Sequence, residues 1–229
     1  MKEIVPHSTK YSTGILIRIC DKCWNEKLLN GEVYMRPLRE FRMGNTPGFN
    51  DPEEGLVCKF DNVELLKNQK CFAKGRDFEL YYGSDFPVFC SFEIQGHFMR
   101  ENVISCIVPA QIITEFSAKC KEPTMVGFPK EPFLNRMDDF LTKQGEVASY
   151  KNVIYSDKPF GDFENPVRNI FRKRKTYEYQ QEFRIVVEEN YSKPKIANIG
   201  SLKDIGNIFP LKGWGDRDLP FEIELAGIE

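Results

Sequence analysis

Apolar and polar residues alternate along much of the chain in short runs. Residues 14–20, Gly-Ile-Leu-Ile-Arg-Ile-Cys, place Ile15, Ile17 and Ile19 on one face and Leu16, Arg18 and Cys20 on the other, which is the two-residue period of a strand. Residues 32–35, 78–82, 87–94, 103–108, 152–155, 183–187 and 221–225 read as further strands, because β-branched and aromatic side chains suit a pleated surface. Residues 21–29 predict a short helix closed by Asn30-Gly31, a stop signal. Residues 135–142 predict a second, with Leu134, Met137 and Leu141 on one side. Residues 167–174 predict a third, in which Val167, Ile170, Phe171 and Arg174 share a face. Residues 36–60 carry no period and are rich in Gly, Pro and Asn, with Glu53 and Glu54 just before Gly55. A stretch of that length without structure of its own usually serves function. Many short strands and few helices, not strictly alternating, predict an α+β fold with mixed and antiparallel short-stranded sheets. At 229 residues, with no repeat, low-complexity tract or linker, one domain over residues 1–229 is expected.

Charge and composition act mainly by exclusion. The net charge of −2 argues against a generally basic nucleic-acid-coating protein and leaves room for a local basic patch. Residues 1–10 have no apolar core of signal-peptide type, and no apolar run approaches the roughly 18 residues of a membrane span. A cytoplasmic chain without membrane association is expected. The seven cysteines are odd in number and scattered, which fits reduced thiols. Cys90 and Cys106 sit in strand-like runs and read as small core residues. Cys20-x-x-Cys23 has no second Cys or His pair at zinc spacing, and His7 and His97 are the only histidines, so no metal is expected. Nucleophile triads, a Walker A loop and a G-x-G-x-x-G turn find no support.

The candidate chemistry gathers near the C-terminal third. Glu182 opens the apolar run Phe183-Arg184-Ile185-Val186-Val187, and Gln180 stands two residues earlier. If the strand extends back that far, both side chains share a face, framed by Tyr177 and Tyr179. A charged strand end beside solvated glutamines is the plainer reading. Arg172, Lys173, Arg174 and Lys175 form a basic run just before this segment; it reads either as a solvated face or as a phosphate-backbone contact. Arg18, inside an apolar strand, requires a carboxylate, a phosphate or an open face, since an unpaired buried charge is costly. Arg36, Arg39 and Arg42 recur every three residues beside Asp51, Glu53 and Glu54. They are placed either for bidentate phosphate recognition or for pairing with those acids.

An early-strand arginine, the serine of Cys90-Ser91-Phe92 and a later Gln-x-Glu follow one another in an order that resembles the Arg–Ser–Glu plan of mono-ADP-ribosyltransferases. Gly31-Glu32-Val33-Tyr34-Met35, Phe41-Arg42, Asp51-Pro52-Glu53-Glu54-Gly55 and the Tyr177-to-Arg184 segment are similar to a group of bacterial and phage proteins associated with that superfamily. The resemblance implies an ADP-ribosyltransferase-like fold and NAD as co-substrate. Glu182 would be the catalytic glutamate, holding the ribose and stabilising the oxocarbenium-like charge as nicotinamide leaves. Gln180 would orient the acceptor. Arg18, or Arg36 in its place, would grip the cofactor, Ser91 would support the ribose or Glu182, and Tyr34 would stack on nicotinamide. Only Cys90-Ser91-Phe92 stands where the plan has a run of small residues. The family context implies a toxin or phage-defence effector that modifies RNA or protein, with an antitoxin as partner. The alternative is a non-catalytic binding module of the same fold that recognises a protein or nucleic acid. A metal-dependent nuclease built on Asp51, Glu53, Glu54 and Glu182 is a third reading.

Overall fold

A computed structural model describes residues 14–43, 51–95, 97–100, 103–157, 165–191, 193–214 and 217–224. The N-terminal stretch with His7, residues 44–50 of the long irregular segment, and Leu225 lie outside them. In chain order the elements are β1 (Gly14–Asp21), α1 (Lys22–Leu29), β2 (Glu32–Pro37), a 3-10 turn (Leu38–Phe41), β3 (Leu56–Lys67), β4 (Lys70–Tyr81), β5 (Pro87–Gln95), β6 (His97–Arg100), β7 (Val103–Val108), α2 (Ala110–Ser117), β8 (Pro123–Pro129), α3 (Lys130–Gln144), β9 (Ala148–Asn152), β10 (Ile154–Tyr155), α4 (Val167–Ile170), β11 (Arg172–Lys173), a second 3-10 stretch (Lys175–Gln180), β12 (Glu182–Val187), β13 (Lys195–Asn198), β14 (Asn207–Pro210) and β15 (Leu219–Glu224). This is a mixed α+β fold with mostly antiparallel sheets and few helices. No helix among the described residues is long and apolar enough to cross a membrane.

The chain forms two compact units, each assembled from separate stretches. The first draws on residues 1–30, 93–139 and 200–229. Its strands β1, β8 and β14 pair antiparallel, with Ile15 opposite Pro129 and Ile208 opposite Val126. Ile15, Leu16 and Ile17 are all fully buried, so β1 is covered on both faces, as its near-continuous apolar run requires. Asn25 fastens α1 to β8: its amide nitrogen donates to Thr124 Oγ1 at 2.9 Å and to the Thr124 carbonyl at 3.1 Å. β7 lies between β6 and β15 in a separate sheet.

The second unit draws on residues 31–92 and 140–199. Its strands run in the order β13, β2, β5, β12, β9, all antiparallel. Val88 stands opposite Val186 across β5 and β12. Both belong to an apolar cluster with Leu38, Phe86, Ile170 and Phe171. β3 and β4 make a long two-stranded hairpin closed by Asn68 and Gln69, both at positive φ (51° and 64°). A two-residue connection of that handedness matches the twist of the strands.

Several sequence expectations change here. Residues 36–60 are not irregular throughout, because β2 continues to Pro37 and β3 starts at Leu56. The helix expected over 167–174 stops at Ile170. Phe171 (φ −100°, ψ 29°) leaves helical geometry, and Arg172–Lys173 becomes a strand parallel to β10. The strand expected over 152–155 is interrupted at Val153: Asn152 ends β9, which starts at Ala148, and residues 154–155 form β10.

Candidate functional site

β12 alternates strictly. Glu182, Arg184 and Val186 project from one face, and Phe183, Ile185 and Val187 from the other. The first face therefore passes from the apolar cluster around Val186 straight to two charged residues, and both are buried. Arg184, fully buried, donates from Nη1 and Nη2 to Glu54 Oε2 and Oε1 at 2.7 and 2.6 Å, and from Nε to Glu182 Oε1 at 2.7 Å. Its Nη1 also donates to the Ile170 carbonyl, at the open end of α4. Lys173, the last residue of β11, donates to Glu182 Oε2 at 2.6 Å and to Gln180 Oε1 at 2.9 Å, and lies 3.5 Å from Glu54 Oε1. Two carboxylates thus meet two cations, and the buried cluster is neutral. Burial by itself would raise the Glu182 carboxyl, but Arg184 and Lys173 outweigh it and hold that carboxyl well below the usual carboxylate range. For Lys173, burial opposes the charge while Glu182 and Glu54 more than offset it and push the ammonium upward.

Glu54 reaches this cluster because its own segment is tied down. Asp51 Oδ1 accepts from the Glu53 amide at 3.0 Å and from Arg174 Nε at 3.0 Å. Arg42 donates to the Glu54 carbonyl at 2.8 Å and to Ser84 Oγ at 2.9 Å. Gly55 turns the chain at φ +69°, where a Cβ would stand 2.7 Å from Leu38 Cδ2 and 2.9 Å from the Tyr82 carbonyl. No other residue type fits that space without shifting its neighbours. At the other side, the Tyr155 hydroxyl accepts from the Glu182 amide at 2.8 Å.

Gln180 and Glu182 do come together, by a route other than strand continuity. Gln180 ends a 3-10 stretch and Gln181 is left-handed (φ 41°, ψ 49°), so the strand does not extend back through them. Their side chains meet instead on Lys173. Ser91 stands opposite Phe183 and so projects from the face away from Glu182; its buried Oγ has no hydrogen-bond partner among the described residues. On the Glu182 face that segment presents Phe92, opposite Glu182, and Cys90, opposite Arg184; burial and Glu182 push the Cys90 thiol up. Tyr34 is half-buried on β2, opposite Ile196. Arg36 pairs with Glu40 at 3.4 Å, Arg39 with Asp85, and Arg42 with the groups named above. The three arginines therefore each have a separate local partner. Arg18 is half-buried on β1 in the first unit, opposite Val126 and beside Cys20. The other candidates belong to the second unit.

The basic run is not one surface. Arg172 is half-buried, Lys173 is inside the cluster, Arg174 is paired with Asp51 and Lys175 is exposed. The acids of the nuclease reading, Glu54 and Glu182, face Arg184 and Lys173, and no group of three or more metal-ligating side chains converges among the described residues. Cys20 donates to Asn25 Oδ1 at 2.9 Å, while Cys23 is exposed. Sequence reasoning missed Arg184 and the role of Glu54. The usable signal was a charge of each sign at i and i+2 inside an otherwise apolar strand.

No family model, curated protein or solved structure matches this chain.

Proposed function

We propose that this chain is a non-catalytic binding protein in which the Glu182 cluster holds the surrounding segments in shape. One observation carries the reading: both oxygens of the Glu182 carboxylate are taken by Arg184 and Lys173, and the residue is only 4% exposed. A glutamate that works on a substrate has to reach the reacting atoms, and this one is enclosed by its own unit. The cluster instead ties β12, β11 and the Asp51–Gly55 turn to one another. The test is a thermal-shift titration with NAD, joined to an incubation of the protein with labelled NAD and pools of protein and RNA. No shift and no Glu182-dependent labelling are expected. A ligand at 100 times its dissociation constant would stabilise by about 2.7 kcal/mol. A saturable shift, or labelling that a folded Glu182→Gln variant loses, overturns the reading.

A second reading is an NAD-dependent mono-ADP-ribosyltransferase of toxin or phage-defence type, with an RNA or protein acceptor and an antitoxin as partner. The meeting of Gln180 and Glu182 on Lys173 favours it, because an acceptor-orienting amide would then sit beside the glutamate. In that reading Lys173 has to yield its contact with Glu182 when NAD enters. The same labelling experiment decides between the two.

A further inference from the structure

We propose that one face of the β3–β4 hairpin binds single-stranded nucleic acid. This rests on the binding reading above and names its partner. At ~3.3 Å per residue the twelve-residue strands reach about 40 Å. Register places Phe60 opposite Phe78, Cys58 opposite Leu80 and Asn62 opposite Arg76, all on one face. Phe60, Phe78 and Leu80 are 45%, 41% and 42% exposed. Two large aromatic rings standing side by side on an open sheet face offer a stacking platform, since every base has a π-face.

Charge is sorted between the two faces in the same sense. The back carries Asp61, between Phe60 and Asn62 on β3, and the pair of Lys59 with Glu79 at 2.8 Å. On the front, Glu64 is matched by Lys74 at 2.6 Å, and Arg76 follows directly after the phenylalanine pair. Lys67 and Lys70 flank the Asn68-Gln69 turn at the tip. Lys59 also lies within electrostatic reach of Asp77. In front and at the tip, Arg76, Lys67 and Lys70 are cations that no acid of the hairpin offsets. Aromatic rings followed by unmatched cations suit an anionic polymer with exposed bases. An acidic protein would use the cations and leave the two exposed rings unexplained.

The experiment is fluorescence anisotropy of the full chain with a labelled 12-nucleotide oligouridine, its oligothymidine counterpart and a duplex of equal length, over a salt series. Saturable binding of the single strands is expected, weaker on the duplex. Three phosphate contacts give a slope of log affinity on log salt near about −2. Phe78→Ala should weaken binding about ten-fold or more, and Arg76→Gln should flatten the slope by about 0.7. Both sites are exposed, so an unchanged melting temperature should accompany each loss. No saturable binding at low salt overturns the proposal, as does binding that Phe60→Ala and Phe78→Ala leave intact. A dimer that dissociates on Phe78→Asp assigns this face to a second copy and also overturns it. Binding indifferent to the hairpin leaves the broader binding reading standing. Glu182-dependent labelling from NAD removes that reading without bearing on the oligonucleotide result.

Discussion

Replacing Arg184 with Met separates the charges of the cluster from its packing. Met roughly preserves the volume of the side chain's stem and removes a guanidinium that makes charge-assisted bonds to Glu54 and Glu182 at 2.6 to 2.7 Å. The buried count changes from two carboxylates and two cations to two carboxylates and Lys173 alone, leaving one uncompensated negative charge. Breaking a buried pair in this way costs about 3–5 kcal/mol, a large part of the 5–15 kcal/mol that an ordinary protein has in total. With a urea slope of about 3 kcal/mol per M for a chain of this size, the unfolding midpoint should fall by about 1–1.7 M. The pH dependence should change sign. In the wild type the Glu182 carboxyl is held low, so its contribution is fully present above the unfolded value of about 4.3 and is lost as pH falls from there toward the folded value. In Arg184→Met the excess carboxylate is eased by a proton, so the deficit should shrink between pH 7.5 and 5. Adding Glu54→Gln should recover part of the loss, with a coupling of about 0.5–3 kcal/mol. A midpoint shift below 0.3 M, or a deficit that grows on acidification, would refute the neutral-cluster account.

In the first unit, Lys130 donates to both oxygens of Glu93 at 2.9 and 2.8 Å in a buried pair; Lys130→Met should cost about 3–5 kcal/mol, measured by urea unfolding, and Glu93→Gln combined with it should cost less. Cys23 and Cys71 are exposed whereas Cys58 and Cys106 are buried, and burial pushes the Cys106 thiol up to about 12. Two thiols should therefore react with an aromatic disulfide reagent within the mixing phase, with Cys58 and Cys106 reacting only as the chain unfolds.

The strands with buried faces were legible because periodicity reports burial. The expected range 103–108 coincides with β7, 14–20 falls one residue short of β1, and 183–187 starts one residue after β12. The hairpin was visible only at its last residues because beyond Cys58 its strands are largely solvated on both faces and carry no apolar period. Its turn is Asn68-Gln69, without the glycine that usually marks such a connection. α2 and β8, within 110–129, went unread although both bury apolar residues. At the candidate site, Glu182 and Gln180 could be picked out by position, but their partners could not. Glu54 lies 130 positions from Arg184 in sequence, and no local pattern connects residues that far apart. The left-handed Gln181 was equally hidden, since nothing about a glutamine announces a positive φ.

The interleaving of the two units has a consequence during synthesis. β1 is completed at Asp21, but its antiparallel neighbour β8 begins at Pro123. At about 5–20 residues per second, roughly 5–20 s pass before that neighbour emerges from the ribosome. Throughout that interval Ile15, Leu16, Ile17 and Ile19 form an apolar ribbon still waiting for β8, while the residues of 31–92 arrive and can begin pairing among themselves. The β3–β4 hairpin, closed by two residues, can form in about 1–10 μs once its strands are free. The nascent chain should therefore offer a chaperone the β8-pairing edge of its first strand for seconds, long after the exposed β3–β4 hairpin has taken shape.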